Sequence, residues 1–82
     1  MSTSSAQTRL EQMFREIFWN IETPVAEMTR LNNPNWDSLS HMSLVLMFEQ
    51  EFGVELTDEE VIEFNSFEVG LEILREKLTA KT

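Results

Sequence analysis

The chain has no cysteine, one histidine, two glycines and two prolines in 82 residues. Without cysteine there is no disulfide, so a domain this small must be held by apolar burial alone. Zinc sites built on thiolates are excluded, and one histidine cannot complete a zinc site. The absence of cysteine also fits a reducing compartment, and it means that any thiol chemistry must arrive on a cofactor. No glycine-rich phosphate loop is present. The opening residues, MSTSSAQ, are polar and lack the apolar centre of a secretory signal. No apolar run approaches membrane-spanning length, and a cytoplasmic protein is expected. Positive charge is scarce as well. Six Lys and Arg face 15 Asp and Glu, for a net charge of −9. Residues 31–74 contain no Lys or Arg at all, but hold Asp37, Glu49, Glu51, Glu55, Asp58, Glu59, Glu60, Glu63, Glu68 and Glu72. Such a field repels nucleic acid and anionic lipid and favours basic protein surfaces. Plain solubility accounts for the same charge equally well.

Against these absences stands a hydrophobic content of 41%, enough for one thin core and a single domain. Residues 1–7 are expected to be a disordered leader and residues 8–82 the domain. Leu10, Met13, Phe14, Ile17, Phe18 and Ile21 recur at the spacing of one helix face, with Arg9, Glu11, Arg15 and Glu16 opposite. Thr23-Pro24 should close this first helix, because the residue before proline avoids helical geometry. A long connection follows, broken by Asn32, Asn33, Pro34 and Asn35. Val25, Met28 and Leu31 are its candidates for packing back on the core, and Trp36 should cover the loop. A second helix is expected over 38–52, with Asp37 as N-cap and Gly53 as the left-handed residue that ends it. Thr57 and Glu60 have the spacing of a capping box opening a short third helix. Asn65, Ser66, Phe67 and Glu68 form another start signal, and Phe67, Leu71, Leu74 and Leu78 mark a final helix. Arg75, Lys77 and Lys81 lie near its end, where positive charge suits the dipole. No repeat and no useful strand alternation appears. The fold class is all-α: a small four-helix bundle with a long first loop and a short third helix.

The second helix carries two apolar groups. At about 100° per residue, Leu44, Val45, Phe48 and Phe52 gather on one side. Leu39, Met42 and Leu46 gather on another, flanked by Glu49 and Gln50, with Ser38 at the edge. Helix geometry alone favours a central helix buried on both sides. The alternative is that Leu39, Met42 and Leu46 stay exposed as a docking surface, since methionine and leucine ringed by acid suit a partner site. Ser38 would occupy the first helical position, where free N–H groups favour a phosphate. Serine there is also an ordinary capping residue, and position alone does not single it out.

The tripeptide Asp37-Ser38-Leu39 opens a helix that continues through Met42, Leu44, Val45, Leu46, Phe48, Glu49, Glu51 and Phe52. Gly53-Val54-Glu55-Leu56, the cap Thr57-Asp58-Glu59-Glu60 and the start Asn65-Ser66-Phe67 follow. Over 10–78 this pattern resembles the acyl carrier protein family, of a free-standing type. The resemblance implies an acyl-carrier-protein-like bundle that performs no catalysis. It implies that a phosphopantetheinyl transferase attaches 4'-phosphopantetheine from coenzyme A to Ser38, and that the arm carries acyl or aminoacyl groups as thioesters. Asp37 would hold the helix start and help the transferase coordinate its metal. Leu39, Met42 and Leu46 would face partners and the base of the arm, and Glu49 would meet basic surfaces on loading and processing enzymes. A monomer is expected, with no metal of its own. Ser40, His41 and Ser43 depart from the acids frequent in fatty-acid carriers. Trp36 before Asp37 is similar to D-alanyl carriers and to free-standing carriers of specialised pathways. A specialised pathway, polyketide or nonribosomal peptide or related, is therefore the expectation, with the cargo unnamed.

Other chemistry fares worse. Asp37, Ser38 and His41 cannot form a triad, because residues one and three apart on one helix do not align nucleophile, base and orienter in series. His41 is expected to cap or pack beside the core face. The acids after Thr57 lack the alternating ligands and central glycine of an EF-hand. The remaining alternative is a helical interaction module without a prosthetic group.

Overall fold

The computed structural model describes residues 3–19 and 22–81. Four α-helices, α1 (Thr3–Ile17), α2 (Ser38–Phe52), α3 (Asp58–Glu63) and α4 (Phe67–Lys81), make the expected all-α bundle, with one 3₁₀ turn at Val25–Glu27 in the first loop. Among the described residues there is no strand, only an isolated antiparallel bridge between Thr29 and Ser66.

The helix boundaries follow local chemistry. The Asp37 carboxylate accepts the Ser40 backbone N–H at 2.9 Å and opens α2. Gly53 closes it at φ 63° and ψ 40°, a left-handed conformation that a Cβ disfavours. Thr57 and Glu60 form the reciprocal capping box that starts α3. The Ser66 hydroxyl accepts the Val69 N–H at 3.1 Å and caps α4.

Two boundaries differ from the sequence expectation. Residues 3–7 form the opening of α1 instead of a leader, and Ala6 is buried in the core. Ala and Gln support the helix, and burial of Ala6 ties it down; residues 1 and 2 lie outside the described residues. At its other end α1 stops at Ile17, well before Thr23-Pro24. The Phe18 N–H still bonds to the Phe14 carbonyl at 2.8 Å, which turns Phe18 into the core. Ile21, expected on the same face, lies outside the described residues.

The core is aromatic. Phe14 touches Phe18, Trp36, Phe64 and Phe67, with ring centroids 5.2–6.2 Å apart. Phe64, on the short link between α3 and α4, also meets Phe48 at 5.4 Å. Such pairs contribute about 0.5–1.5 kcal/mol each beyond their buried area. Phe48 and Leu44 bring the inner face of α2 to this cluster, and Leu71 and Leu74 bring α4.

The long loop is tied down by backbone bonds. Arg30 donates its N–H to the Asn65 carbonyl at 2.8 Å, and Phe67 donates to the Met28 carbonyl at 3.0 Å. Met28 is buried and Val25 packs against the core, as expected. Leu31 is not: it is fully exposed. The Thr29–Ser66 bridge faces Met28 inward, and the chain turns outward after Arg30 through Asn32, whose side chain bonds to Thr29 and Glu27.

Candidate functional site

The site is built at the N-terminal end of α2. Its first turn leaves backbone N–H groups without helical acceptors. Asp37 takes the one on Ser40, and the Asp37 carbonyl accepts the N–H of His41 at 2.9 Å. The hydrogen bond from the Ser40 N–H, then that from the Ser40 hydroxyl, holds the Asp37 carboxyl below the ordinary aspartate value. Capping is therefore done by Asp37. The neighbouring Ser38 side chain is exposed and has no hydrogen-bond partner among the described residues. With the cap supplied by Asp37, the Ser38 hydroxyl is left open to solvent.

Behind this turn the helix is clamped. His41 and Trp36 are both buried. The Trp36 indole donates from Nε1 to His41 Nδ1 at 3.0 Å. An indole can only donate, so Nδ1 accepts, and Nε2–H donates to the Val61 carbonyl at 2.7 Å. One ring thus joins the end of the long loop, α2 and α3 a single turn beyond Ser38. His41 packs beside the core face, as its position implied, and Trp36 covers the loop.

The second apolar group of α2 is exposed. Leu39 is 78%, Met42 51% and Leu46 53% exposed. Helix geometry alone favoured burial on both sides of α2, but only one side is buried. The described elements pack against the side carrying Leu44, Val45, Phe48 and Phe52, and these four are buried. Leu39, Met42 and Leu46 share a face with Ser38 that no described element covers. Glu49 behaves differently from these three. It is half-buried, and its Oε2 accepts the Leu56 N–H at 2.9 Å, fastening the segment after Gly53.

Three further large apolar residues are exposed: Trp19, Ile62, and Leu31, which was expected to pack inward. Ile62 is 77% exposed on α3, and with Leu31, Thr29, Arg30, Asn65 and Ser66 it lines an open groove of about 690 Å³. Six residues of α3 are too few to show a period, and the loop has none, so no pattern marked either Ile62 or Leu31 as exposed. Among the described residues, no three His, Cys, Asp or Glu are grouped to hold a metal ion, and no helix is long and apolar enough to cross a membrane.

No family model matches the chain. Among curated proteins, it is 34% identical over 59 residues to an acyl carrier protein of Thermosynechococcus vestitus, a match spanning 72% of this chain and 73% of that one. Among solved structures, it superposes on the crystal structure of an acyl carrier protein from Thermotoga maritima with a TM-score of 0.75 and 24% identity, over 100% of this chain and 96% of that one.

Proposed function

This chain belongs to the acyl carrier protein family, and we propose that it carries acyl or aminoacyl intermediates on 4'-phosphopantetheine attached to Ser38. The observation that carries the reading is the division of labour at α2. Asp37 caps the helix, so the Ser38 hydroxyl stays exposed and unpaired where a transferase can reach it. The residues present fit the group: an accessible hydroxyl for the phosphodiester, and first-turn N–H groups that favour its negative charge. When bound, the group supplies a terminal thiol that holds the cargo as a thioester, which a chain without cysteine cannot do alone.

The roles of the other residues follow from their placement. Asp37 fixes the start of α2 and presents Ser38. The Trp36–His41–Val61 clamp keeps that turn from shifting when an enzyme binds. Leu39, Met42 and Leu46 form an apolar strip beside the attachment point that docks on the transferase and on loading and processing enzymes. The acids of residues 31–74 steer basic enzyme surfaces toward it. Glu49 adds to that field while bonded to Leu56. The protein itself presents cargo and catalyses nothing. It acts as a monomer, through one carrier domain over 8–82 extended by the opening of α1. A cytoplasmic setting belongs to this proposal, because the terminal thiol has to stay reduced. Ser40, His41 and Ser43, in place of acids, favour partners of a specialised pathway over those of bulk fatty acid synthesis.

The test is intact mass after incubation with coenzyme A and a phosphopantetheinyl transferase. The wild-type chain should gain the mass of one 4'-phosphopantetheine, and Ser38→Ala should gain none. If folded wild-type protein gains nothing from transferases that modify other carriers, the carrier reading fails and the exposed strip is that of an interaction module.

A further inference from the structure

Arg30, like Arg75, enters no ion pair among the described residues. No Lys or Arg follows it until Arg75. The ion pairs among the described residues join Arg9 to Glu51, Arg15 to Glu11 and Lys77 to Glu60. Among the described residues Arg30 has no carboxylate partner, although the chain carries 15 acids. Its side chain instead donates from Nε to the Trp36 carbonyl at 3.3 Å.

The backbone holds it there. The Arg30 N–H bonds to Asn65 at 2.8 Å, the preceding Thr29 pairs with Ser66, and Asn32 closes the turn through 2.8 and 3.2 Å bonds with Thr29. With Nε occupied, the terminal N–H groups of the guanidinium fork have no partner among the described residues. Only Asp37, in an extended conformation at φ −97° and ψ −173°, separates Trp36 from Ser38. Their Cα atoms are therefore about 7 Å apart. The Asp37 carboxylate is turned to Ser40, so it does not take the fork. The free cation nearest in chain to Ser38 is thus fastened to the segment that leads into it.

We propose that Arg30 is a positioning residue for the phosphodiester on Ser38, its terminal N–H groups donating to the non-bridging phosphate oxygens. This rests on the carrier reading above. The chemistry suits arginine in particular: one N–H anchors the side chain to the protein while the planar fork meets phosphate. Lysine offers a charge without that second contact. The contact fixes the base of the arm against the loop side of α2 and limits the directions in which cargo leaves it.

The test uses the full chain before and after modification, with coenzyme A and a transferase as reagents. The Arg30 Nε–H resonance should shift on modification, and the Arg15 Nε–H resonance should not. The phosphorus resonance of the modified protein should move in Arg30→Gln, stay in place in Arg15→Gln, and be only partly restored in Arg30→Lys. The difference between wild type and Arg30→Gln should shrink in high salt, as an exposed ion pair requires. An Arg30 Nε–H resonance identical before and after modification, or a phosphorus resonance unmoved by Arg30→Gln, overturns the proposal. Both readouts are taken on protein whose modification is confirmed by mass. A chain that is never modified overturns the carrier reading itself, and the Arg30 proposal with it. The wild-type comparison needs no variant, so the outcome does not depend on how Arg30→Gln folds.

Discussion

The clamp at His41 allows the most exacting test of the site. Trp36 Nε1 is buried and His41 Nδ1 is its acceptor. In His41→Leu the indole N–H loses its partner while the site stays filled. A buried donor left unpaired costs about 1–3 kcal/mol. The Val61 carbonyl also loses a partner, but it is only part-buried and can turn to water, so its share is smaller. Trp36→Phe makes the converse defect: His41 Nδ1 is unpaired, and a smaller ring sits among Phe14, Phe18 and Phe64. An 82-residue domain has a total stability of about 4–12 kcal/mol. Either single change therefore removes a measurable part of it.

The decisive quantity is the coupling between the two. When both groups are replaced, neither is left unpaired. The double variant should be less destabilised than the sum of the singles by about 1–2 kcal/mol. Urea unfolding followed by far-ultraviolet circular dichroism measures all four proteins. If the single losses add to within about 0.5 kcal/mol, the Trp36–His41 bond does not hold the site together and the clamp is refuted.

The remaining predictions concern packing, pH and docking. A Cβ on Gly70 would lie 2.6 Å from two ring atoms of buried Phe64, so Gly70→Ala should lose about 1–3 kcal/mol in urea unfolding, and Phe64→Leu should relieve part of that loss. The Glu60 carboxyl is held below its ordinary value of 4.5, first by the hydrogen bond from Lys77 and then by the Thr57 N–H. Because its native value is the lower one, its contribution is complete above 4.5 and is lost as pH falls through the native value. Lys77→Met should therefore flatten the decline of stability below pH 4.5, and an unchanged slope would count against the pair. Leu46 is 53% exposed, so Leu46→Glu should change unfolding by less than about 0.5 kcal/mol while loading by a cognate enzyme falls. Normal loading of that variant would remove the α2 strip as a docking surface.

The helices with strong punctuation were readable from sequence. Asp37 and Gly53 bracket α2, and the Thr57–Glu60 box opens α3, because each boundary is decided by residues within four positions of it. The long loop was not, because Met28 and Leu31 look alike until a distant partner distinguishes them. The Phe67 N–H reaches back to Met28 and places it inside, while nothing on α3 or α4 covers Leu31. The same reason left the outer face of α2 open to two readings. Periodicity reports that a helix has two apolar groups; it does not count the neighbours available to cover them. This bundle packs α2 through Leu44, Val45, Phe48 and Phe52, and leaves Leu39, Met42 and Leu46 outside.

Ser38 belongs with the features that sequence leaves undecided. A serine entering a helix is ordinarily a cap, and had it capped here its hydroxyl would be turned back onto the backbone. The structure assigns that task to Asp37, and it binds the following turn through His41 to Trp36 and Val61. The helix start is thereby stable without any contribution from the serine. This is the physical condition for placing a covalent attachment there: a substitution or modification at Ser38 removes no hydrogen bond that the fold uses. It follows that Ser38→Ala should unfold at the same urea concentration as the wild type, while Asp37→Ala should unfold earlier. A wild-type-like Asp37→Ala together with a destabilised Ser38→Ala would mean that the serine is the cap after all, and the separation of structure from attachment would fail.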